Sequence, residues 1–166
     1  QGSIGMMEEE QRLLCQKAKR KALRLLEQRD RTEQNLRQKL AQNGYPPEAV
    51  EAAVEYVKSF GYVDDERYAR NYLTYRLQTK SKQRLFQELY QIGISYEKLQ
   101  EAWEEVTTYE DVDEREMIRR QIRRKYAPGT KLDEVHLRRL YGFLARRGFQ
   151  FEDIRAVLEE EGIEKM

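Results

Sequence analysis

Apolar residues recur at the same distances from three glycines along the chain. Leucines stand eight and four residues before Gly44, Gly93 and Gly148, and an apolar residue follows each glycine directly. Further apolar residues stand six, nine and ten positions after the glycines, namely Val50, Leu99, Ile154, Ala53, Ala102, Val157, Val54, Trp103 and Leu158. These offsets fit two amphipathic helices that meet at a turn. Because the match holds in three copies, the pattern predicts a repeated unit.

Each of these glycines stands where the first helix of a pair has to end. A left-handed residue there closes the last turn, and glycine adopts that backbone without a Cβ clash. The second helix has a start signal in two copies, because Pro47 suits the first helical position and Ser95 suits an N-cap. The start of the first helix is marked by Thr32, Ser81 and the box-like Thr130-x-x-Asp133.

A further helical pattern precedes each glycine-hinged pair. Apolar residues at helical spacing predict one helix within each of 8–28, 64–78 and 113–126, although the polar Gln121 interrupts the third stripe. The chain is therefore predicted to be all-α, with three tandem three-helix repeats over 8–60, 64–106 and 113–162. A triplet of about 50 residues is marginal by itself, so we expect the triplets to stack into an elongated, curved helical array.

The composition suits thin helical layers with much exposed surface. Hydrophobic residues make up 39% and charged residues 37% of the 166, which excludes wholesale disorder. No apolar run approaches the roughly 20 residues that cross a bilayer, so no membrane partner is expected. Cys15 is the only cysteine, so no internal disulfide can form and a cytoplasmic location is expected. We interpret Gln1–Gly5 as an expression remnant, with the natural start near Met6 or Met7.

The formal net charge of +1 conceals strong segregation. The segment 12–39 carries ten basic and three acidic residues, 97–114 carries eight acidic residues and one lysine, and 115–147 carries eleven basic and three acidic residues. Basic residues grouped into blocks along the sequence favour binding of phosphate or another anion. The alternative is that they pair with the acidic block 97–114 within the chain. The candidate contact residues are Lys17, Lys19, Arg20, Lys21, Arg24, Arg119, Arg120, Arg123, Arg124, Lys125, Arg138, Arg139, Arg146 and Arg147.

No catalytic or metal motif is visible, and we predict a protein that is not an enzyme and has no cofactor. His136 is the only histidine, and a helix-face Cys15 with a solvated or capping His136 is simpler than a reactive pair. No Cys/His cluster, P-loop or dinucleotide fingerprint occurs. Tyr68, Tyr72 and Tyr75 stand at helical spacing, and we expect them in the core rather than stacked on bases.

The segment between the first two triplets is the most specific one. Gly61 is expected to end a helix and Asp64 to cap the next, with Asp65 and Glu66 complementing its positive N-terminus. The string Gly61-Tyr62-Val63-Asp64-Asp65-Glu66-Arg67-Tyr68-Ala69 resembles the RecX family of regulatory proteins. The resemblance runs from about Lys19 to Met166 and includes Ala22-Leu23-Arg24-Leu25-Leu26, Leu36-x-x-Lys39-Leu40-x-x-x-Gly44-Tyr45 and Arg84-Leu85-x-x-Glu88-Leu89-x-x-x-Gly93-Ile94.

That resemblance implies a regulator of the RecA recombinase. Such a protein binds in the groove of the RecA–single-stranded DNA filament and inhibits or modulates recombination, ATP hydrolysis and filament growth in DNA repair and the SOS response. It implies the RecA filament as partner and, in some members, direct binding to single- or double-stranded DNA. Separately from the resemblance, we expect a monomer. A stand-alone, sequence-independent DNA-binding repeat protein and a protein–protein adaptor are the alternatives.

Overall fold

The computed structural model describes residues 2–166, and the side chains of all of these except residues 2–4 and 6. Over this range the chain forms nine helices and two short strands. Their bounds are α1 Gly2–Gln28, α2 Glu33–Gln42, α3 Pro47–Ser59, α4 Asp65–Arg76, α5 Lys82–Gln91, α6 Tyr96–Val106, α7 Glu114–Lys125, β1 Lys131–Leu132, α8 Glu134–Arg146, α9 Phe151–Glu160 and β2 Glu164–Lys165. The helical fold with three successive triplets is confirmed. The bounds 8–60, 64–106 and 113–162 stay predictions.

The predicted hinges are present. Gly44, Gly93 and Gly148 have φ values of 89°, 97° and 90°, so each occupies the left-handed region that the sequence argument required. The caps follow the prediction as well: Thr32 Oγ1 accepts from the Asn35 amide at 3.1 Å, and Ser81 Oγ accepts from the Arg84 amide at 3.1 Å. These local signals therefore set where the helices begin and end.

Helix starts at Pro47, Ser95 and Asp64 agree with the sequence too. Pro47 is the first residue of α3. Ser95 Oγ accepts from the Lys98 amide at 3.4 Å, and Asp64 Oδ1 accepts from the Arg67 amide at 3.1 Å. The predicted capping box at Thr130 was wrong. Asp133 is the N-cap of α8 and accepts from the His136 amide at 2.8 Å, whereas the Thr130 hydroxyl donates to the Ala127 carbonyl.

The helices form two compact units, which we describe separately. The first runs through Arg70 and includes Leu89–Leu99; the second comprises Asn71–Glu88 and Gln100–Met166. In the first unit α1 packs on α3, where Ala18, Ala22 and Ala53 are fully buried. Small side chains at a helix contact allow the two axes to approach closely.

Of the segment Gln1–Gly5, Gln1 lies outside the described residues, and α1 begins at Gly2 rather than at Glu8.

In the second unit the core lies among α7, α8 and α9. It contains Met117, Ile118, Ile122, Leu132, Leu140, Leu144, Phe149, Ile154, Val157, Leu158 and Ile163. The strands β1 and β2 add a small parallel pair in which Lys131 faces Glu164 and Leu132 faces Lys165. The Met166 amide donates to the Leu132 carbonyl at 2.9 Å. This pair ties the end of the chain to the connection before α8.

No helix within the described range is both long and apolar enough to span a membrane.

Candidate nucleic-acid interface

The basic residues of the first unit lie along one side of α1. Ala18, Ala22 and Leu25 face the core, and positions three and four apart share a helix face. Lys17, Arg20, Lys21 and Arg24 therefore follow one another along another side, which we name the α1 cluster. Lys17, Arg20 and Arg24 are exposed and Lys21 is half-buried. Within residues 2–166 we find no carboxylate paired with any of these four.

Lys19 differs from its neighbours in the sequence. Its Nζ lies 5.0 Å from the centroid of the Tyr56 ring, a cation–π arrangement. The Tyr56 ring meets Phe60 edge-on at 5.1 Å, and Phe60 stacks on Tyr62 at 5.5 Å. These three rings are 37%, 57% and 51% exposed. Lys19 was expected in the basic patch, and no pattern in the sequence marked these three aromatic residues.

The basic run on α7 is divided into two sides. Arg119 pairs with Glu116 and, at 2.5 Å, with Glu160; Arg123 pairs with Glu161 at 2.5 Å. Hydrogen bonding from Arg123 holds the pKa of the Glu161 carboxyl below its ordinary value. These two arginines therefore attach α7 to the end of α9. Glu116 lies within the basic block, and Glu160 and Glu161 follow it in the sequence, so none of these partners belongs to the acidic block 97–114.

The other side of α7 contributes to a cavity in the second unit. Arg120, Arg124 and Lys125 line it together with Arg147 from the end of α8, and its volume is about 150 Å³. Arg120 Nη2 donates to Gln78 Oε1 at 3.1 Å, and Arg147 Nη1 donates to the Thr79 carbonyl at 3.3 Å. We name these four cations the α7–α8 cluster. Hydrogen bonds to a side-chain oxygen of Gln78 and to the backbone carbonyl of Thr79 therefore hold Arg120 and Arg147 in position.

Two further residues shape this cavity, and one of them was detectable in the sequence. Gln121 is buried, and its Nε2 donates to the Thr79 carbonyl at 2.9 Å. The Phe143 ring makes cation–π contacts with two cations: Lys125 Nζ lies 3.8 Å and Arg147 Cζ 4.5 Å from the ring centroid. The polar Gln121 inside an apolar stripe was the detectable signal, whereas Phe143 has the pattern of an ordinary helix residue.

The remaining candidates lie on α8. Arg138, Arg139 and Arg146 are exposed, and none of them takes part in an ion pair within the described chain. All three lie on α8, and Arg147 directly follows this helix. They therefore leave positive charge on α8 without an internal partner.

The tyrosines only partly match the expectation of a core stripe. Tyr68 and Tyr72 are half-buried, and Tyr72 donates to Glu88 Oε1 at 3.0 Å. Tyr75 is 81% exposed, so the core prediction was wrong for it. Tyr75 lies two residues after the buried Leu73, and residues two apart on a helix do not share a face.

Cys15 and His136 have ordinary structural surroundings. Cys15 is half-buried and packs against the core of the first unit. His136 lies in the first turn of α8, and its Nδ1 is 2.8 Å from Asp133 Oδ1. Among the described residues no group of acidic, histidine or cysteine side chains is arranged to hold a metal ion.

The repeat, its hinges and its caps can be compared with known proteins. Sequence models of the first, second and third three-helix domains of RecX match residues 18–56, 64–102 and 113–158. The chain is also 38% identical, over 143 residues, to the regulatory protein RecX of Trichlorobacter lovleyi, covering 84% of this chain and 92% of that one. The chain belongs to the RecX family.

Other RecX proteins are similar over most of their length. The RecX of Vibrio vulnificus is 31% identical, with 84% of this chain and 90% of that one aligned. A crystal structure of a regulatory protein RecX superposes with a TM-score of 0.66 at 20% identity, over 93% of this chain and 76% of that one. RecX from Lactobacillus salivarius gives 0.58 at 15% identity, over 89% and 96%. At such identities the structures show the same fold.

Membership settles two broader points. RecX is a family of regulatory proteins and not of enzymes. Membership of this family implies regulation of RecA.

Proposed function

We propose that the protein binds in the groove of the RecA–single-stranded DNA filament and modulates RecA-dependent recombination, ATP hydrolysis and filament growth. Membership of the RecX family supports the partner. The observation that carries the proposal is the α1 cluster, a row of cations without a carboxylate partner in the described chain. This activity belongs to DNA repair and the SOS response.

The contrast with α7 supports a binding role for the α1 cluster. Arg119 and Arg123 are neutralised by carboxylates of α7 and α9. Lys17, Arg20 and Arg24 have no such partner among the described residues, and they lie on a helix that Ala18, Ala22 and Leu25 anchor to the core. Cations fixed on a rigid element attract an anionic partner and accelerate association, and salt weakens that effect.

The exposed arginines of α8 also offer positive charge to a nucleoprotein surface. Arg138, Arg139 and Arg146 extend positive charge along α8. A filament offers DNA phosphates and acidic protein groups to such a surface. Contacts of this kind position a protein on its partner without reading a base sequence.

A charge-reversal experiment tests the proposal. We expect the triple variant Lys17→Glu, Arg20→Glu, Arg24→Glu to bind preformed RecA–single-stranded DNA filaments at least tenfold more weakly in co-sedimentation, because attraction becomes repulsion. The control is Arg155→Glu, an exposed arginine whose carboxylate partners are Glu152 and Glu159. Equal binding by the triple variant and the unmodified protein at low salt would remove the α1 cluster from the interface.

Direct binding to DNA without RecA is the second candidate, and the α7–α8 cluster favours it. Inhibition of RecA that appears only when the protein saturates the DNA would support this candidate. Inhibition at amounts well below those of RecA supports the filament-regulator proposal.

A further inference from the structure

The cavity of the second unit collects positive charge and no negative charge. Four of its lining residues are the cations of the α7–α8 cluster, and no aspartate or glutamate of the described chain lines it. On the same helix the adjacent Arg119 and Arg123 are matched by carboxylates. The difference lies between two sides of one helix, so it is not a consequence of overall composition.

Two of the cations are held in place before any ligand arrives. Gln78 Oε1 accepts from Arg120 while Gln78 Nε2 donates to the Asp111 carbonyl at 3.4 Å, so the amide is fixed from both ends. The Thr79 carbonyl accepts from both Gln121 and Arg147. Side chains that are already ordered lose less conformational entropy when a ligand binds.

Arg124 is the member without an internal partner. It is exposed, lines the cavity and makes no hydrogen bond or ion pair within the described chain. A cation near the end of α7 also complements the helix dipole, but Arg123 already occupies that turn, and Arg120 lies nearer the middle of the helix. The dipole therefore does not account for the whole cluster.

The size of the cavity fits a small anion. Its volume of about 150 Å³ admits a phosphate group with its five heavy atoms. The aromatic ring of Phe143, which also lines the cavity, already makes cation–π contacts with Lys125 and Arg147.

We propose that this cavity binds one backbone phosphate of a single-stranded nucleic acid, with Arg120 and Arg124 as its main ligands. Arginine matches phosphate oxygens with paired N–H donors. The base is left outside, so binding is independent of sequence. This inference deepens the proposed function by naming the ligand of one site, and it rests on that function only for its biological setting.

The test uses the full-length protein and a fluorescein-labelled oligothymidylate in fluorescence anisotropy. The double variant Arg120→Gln, Arg124→Gln is compared with Arg119→Gln, Arg123→Gln, which removes the same charge from the same helix. We expect the first to weaken binding about tenfold and to reduce the magnitude of the salt slope by about 0.7, because the site binds one phosphate and each phosphate contact on a single strand contributes about 0.7. The second should change the dissociation constant less than twofold. The single variant Arg124→Gln, which breaks no internal hydrogen bond, guards against misfolding and should also weaken binding.

Two results overturn the inference. Equal weakening by both double variants would reduce it to an effect of net charge. Unchanged oligonucleotide binding by the Arg120/Arg124 variant would also overturn it; if that variant has at the same time lost RecA inhibition, the cavity contacts RecA protein and the proposed function stands. The expected binding loss combined with an unmodified protein that has no effect on RecA supports the inference and contradicts the proposed function.

Discussion

The backbone N–H of Glu33 donates a 2.9 Å hydrogen bond to Oδ1 of Asp65. Glu33 is the first residue of α2 and Asp65 the first residue of α4. The same relationship recurs later in the chain: the N–H of Lys82, the first residue of α5, donates to Glu114 Oε2 at 3.0 Å, and Glu114 begins α7. In both cases an acidic residue that opens a later helix satisfies an amide that an α-helix leaves without an internal acceptor.

The acceptor at residue 65, rather than its charge, is expected to determine stability. Asp65 is buried, so Asp65→Ala should lower the free energy of unfolding by about 1–2 kcal/mol, because a buried amide loses its acceptor. Asp65→Asn keeps an oxygen at the same position and should lose much less. Urea titration followed by circular dichroism measures both. A loss in Asp65→Asn as large as that in Asp65→Ala would show that the negative charge is essential.

The sequence predicted the turns and helix caps, because these depend on residues that are close together in the chain. Gly44, Gly93 and Gly148 were identified because a left-handed turn needs glycine at one position, and Thr32 and Ser81 because an N-cap acts three residues away. The bond from Glu33 to Asp65 joins residues far apart in the sequence, so no local pattern contains it. The sequence placed Asp65 only as a complement to the dipole of its own helix.

The basic run on α7 shows the same limit. The sequence analysis grouped Arg119 and Arg120 in one set of candidate contact residues, but successive helical residues point about 100° apart. Which of them meets Glu160 depends on where α9 packs. The two-residue strands β1 and β2 were missed because they are too short to show an alternating pattern.

Glu88 should make the stability of the second unit depend on pH. Burial raises its pKa, but hydrogen bonds from Lys80 and Tyr72 lower it more, and the pKa of the folded state lies below the ordinary 4.5. The stabilisation is therefore complete above pH 4.5 and is lost as the pH falls through the lower, folded-state pKa. We expect the unmodified protein to exceed Glu88→Gln in unfolding free energy at pH 7 and to lose that advantage in urea titrations at strongly acidic pH.

Asp65 supplies the contrasting case. Its pKa is raised above 3.8, chiefly by burial, so its ionisation reduces stability as the pH rises through the raised value. The stability of the unmodified protein relative to Asp65→Asn should therefore fall on going from strongly acidic pH to neutral pH. A change in the same direction as for Glu88→Gln would contradict the assigned cause.

Gly148 and Gly44 form a matched pair for testing close packing at a hinge. Their φ values are 90° and 89°, but a Cβ at Gly148 would overlap Ser81 and Arg84, whereas one at Gly44 would meet nothing within 4 Å. Gly44→Ala should cost about 1–2 kcal/mol from backbone strain alone. Gly148→Ala should cost clearly more, because the neighbouring chain must also move. Equal losses in thermal or urea unfolding would mean that the contact with Ser81 and Arg84 is dispensable.

The central claim is that the chain regulates RecA on single-stranded DNA. ATP turnover by RecA on single-stranded DNA, measured while this protein is added, tests it most directly. We predict a decrease at amounts well below those of RecA, and a weaker decrease with the variant Lys17→Glu, Arg20→Glu, Arg24→Glu. Unchanged turnover at an equimolar amount of the unmodified, folded protein would contradict the claim.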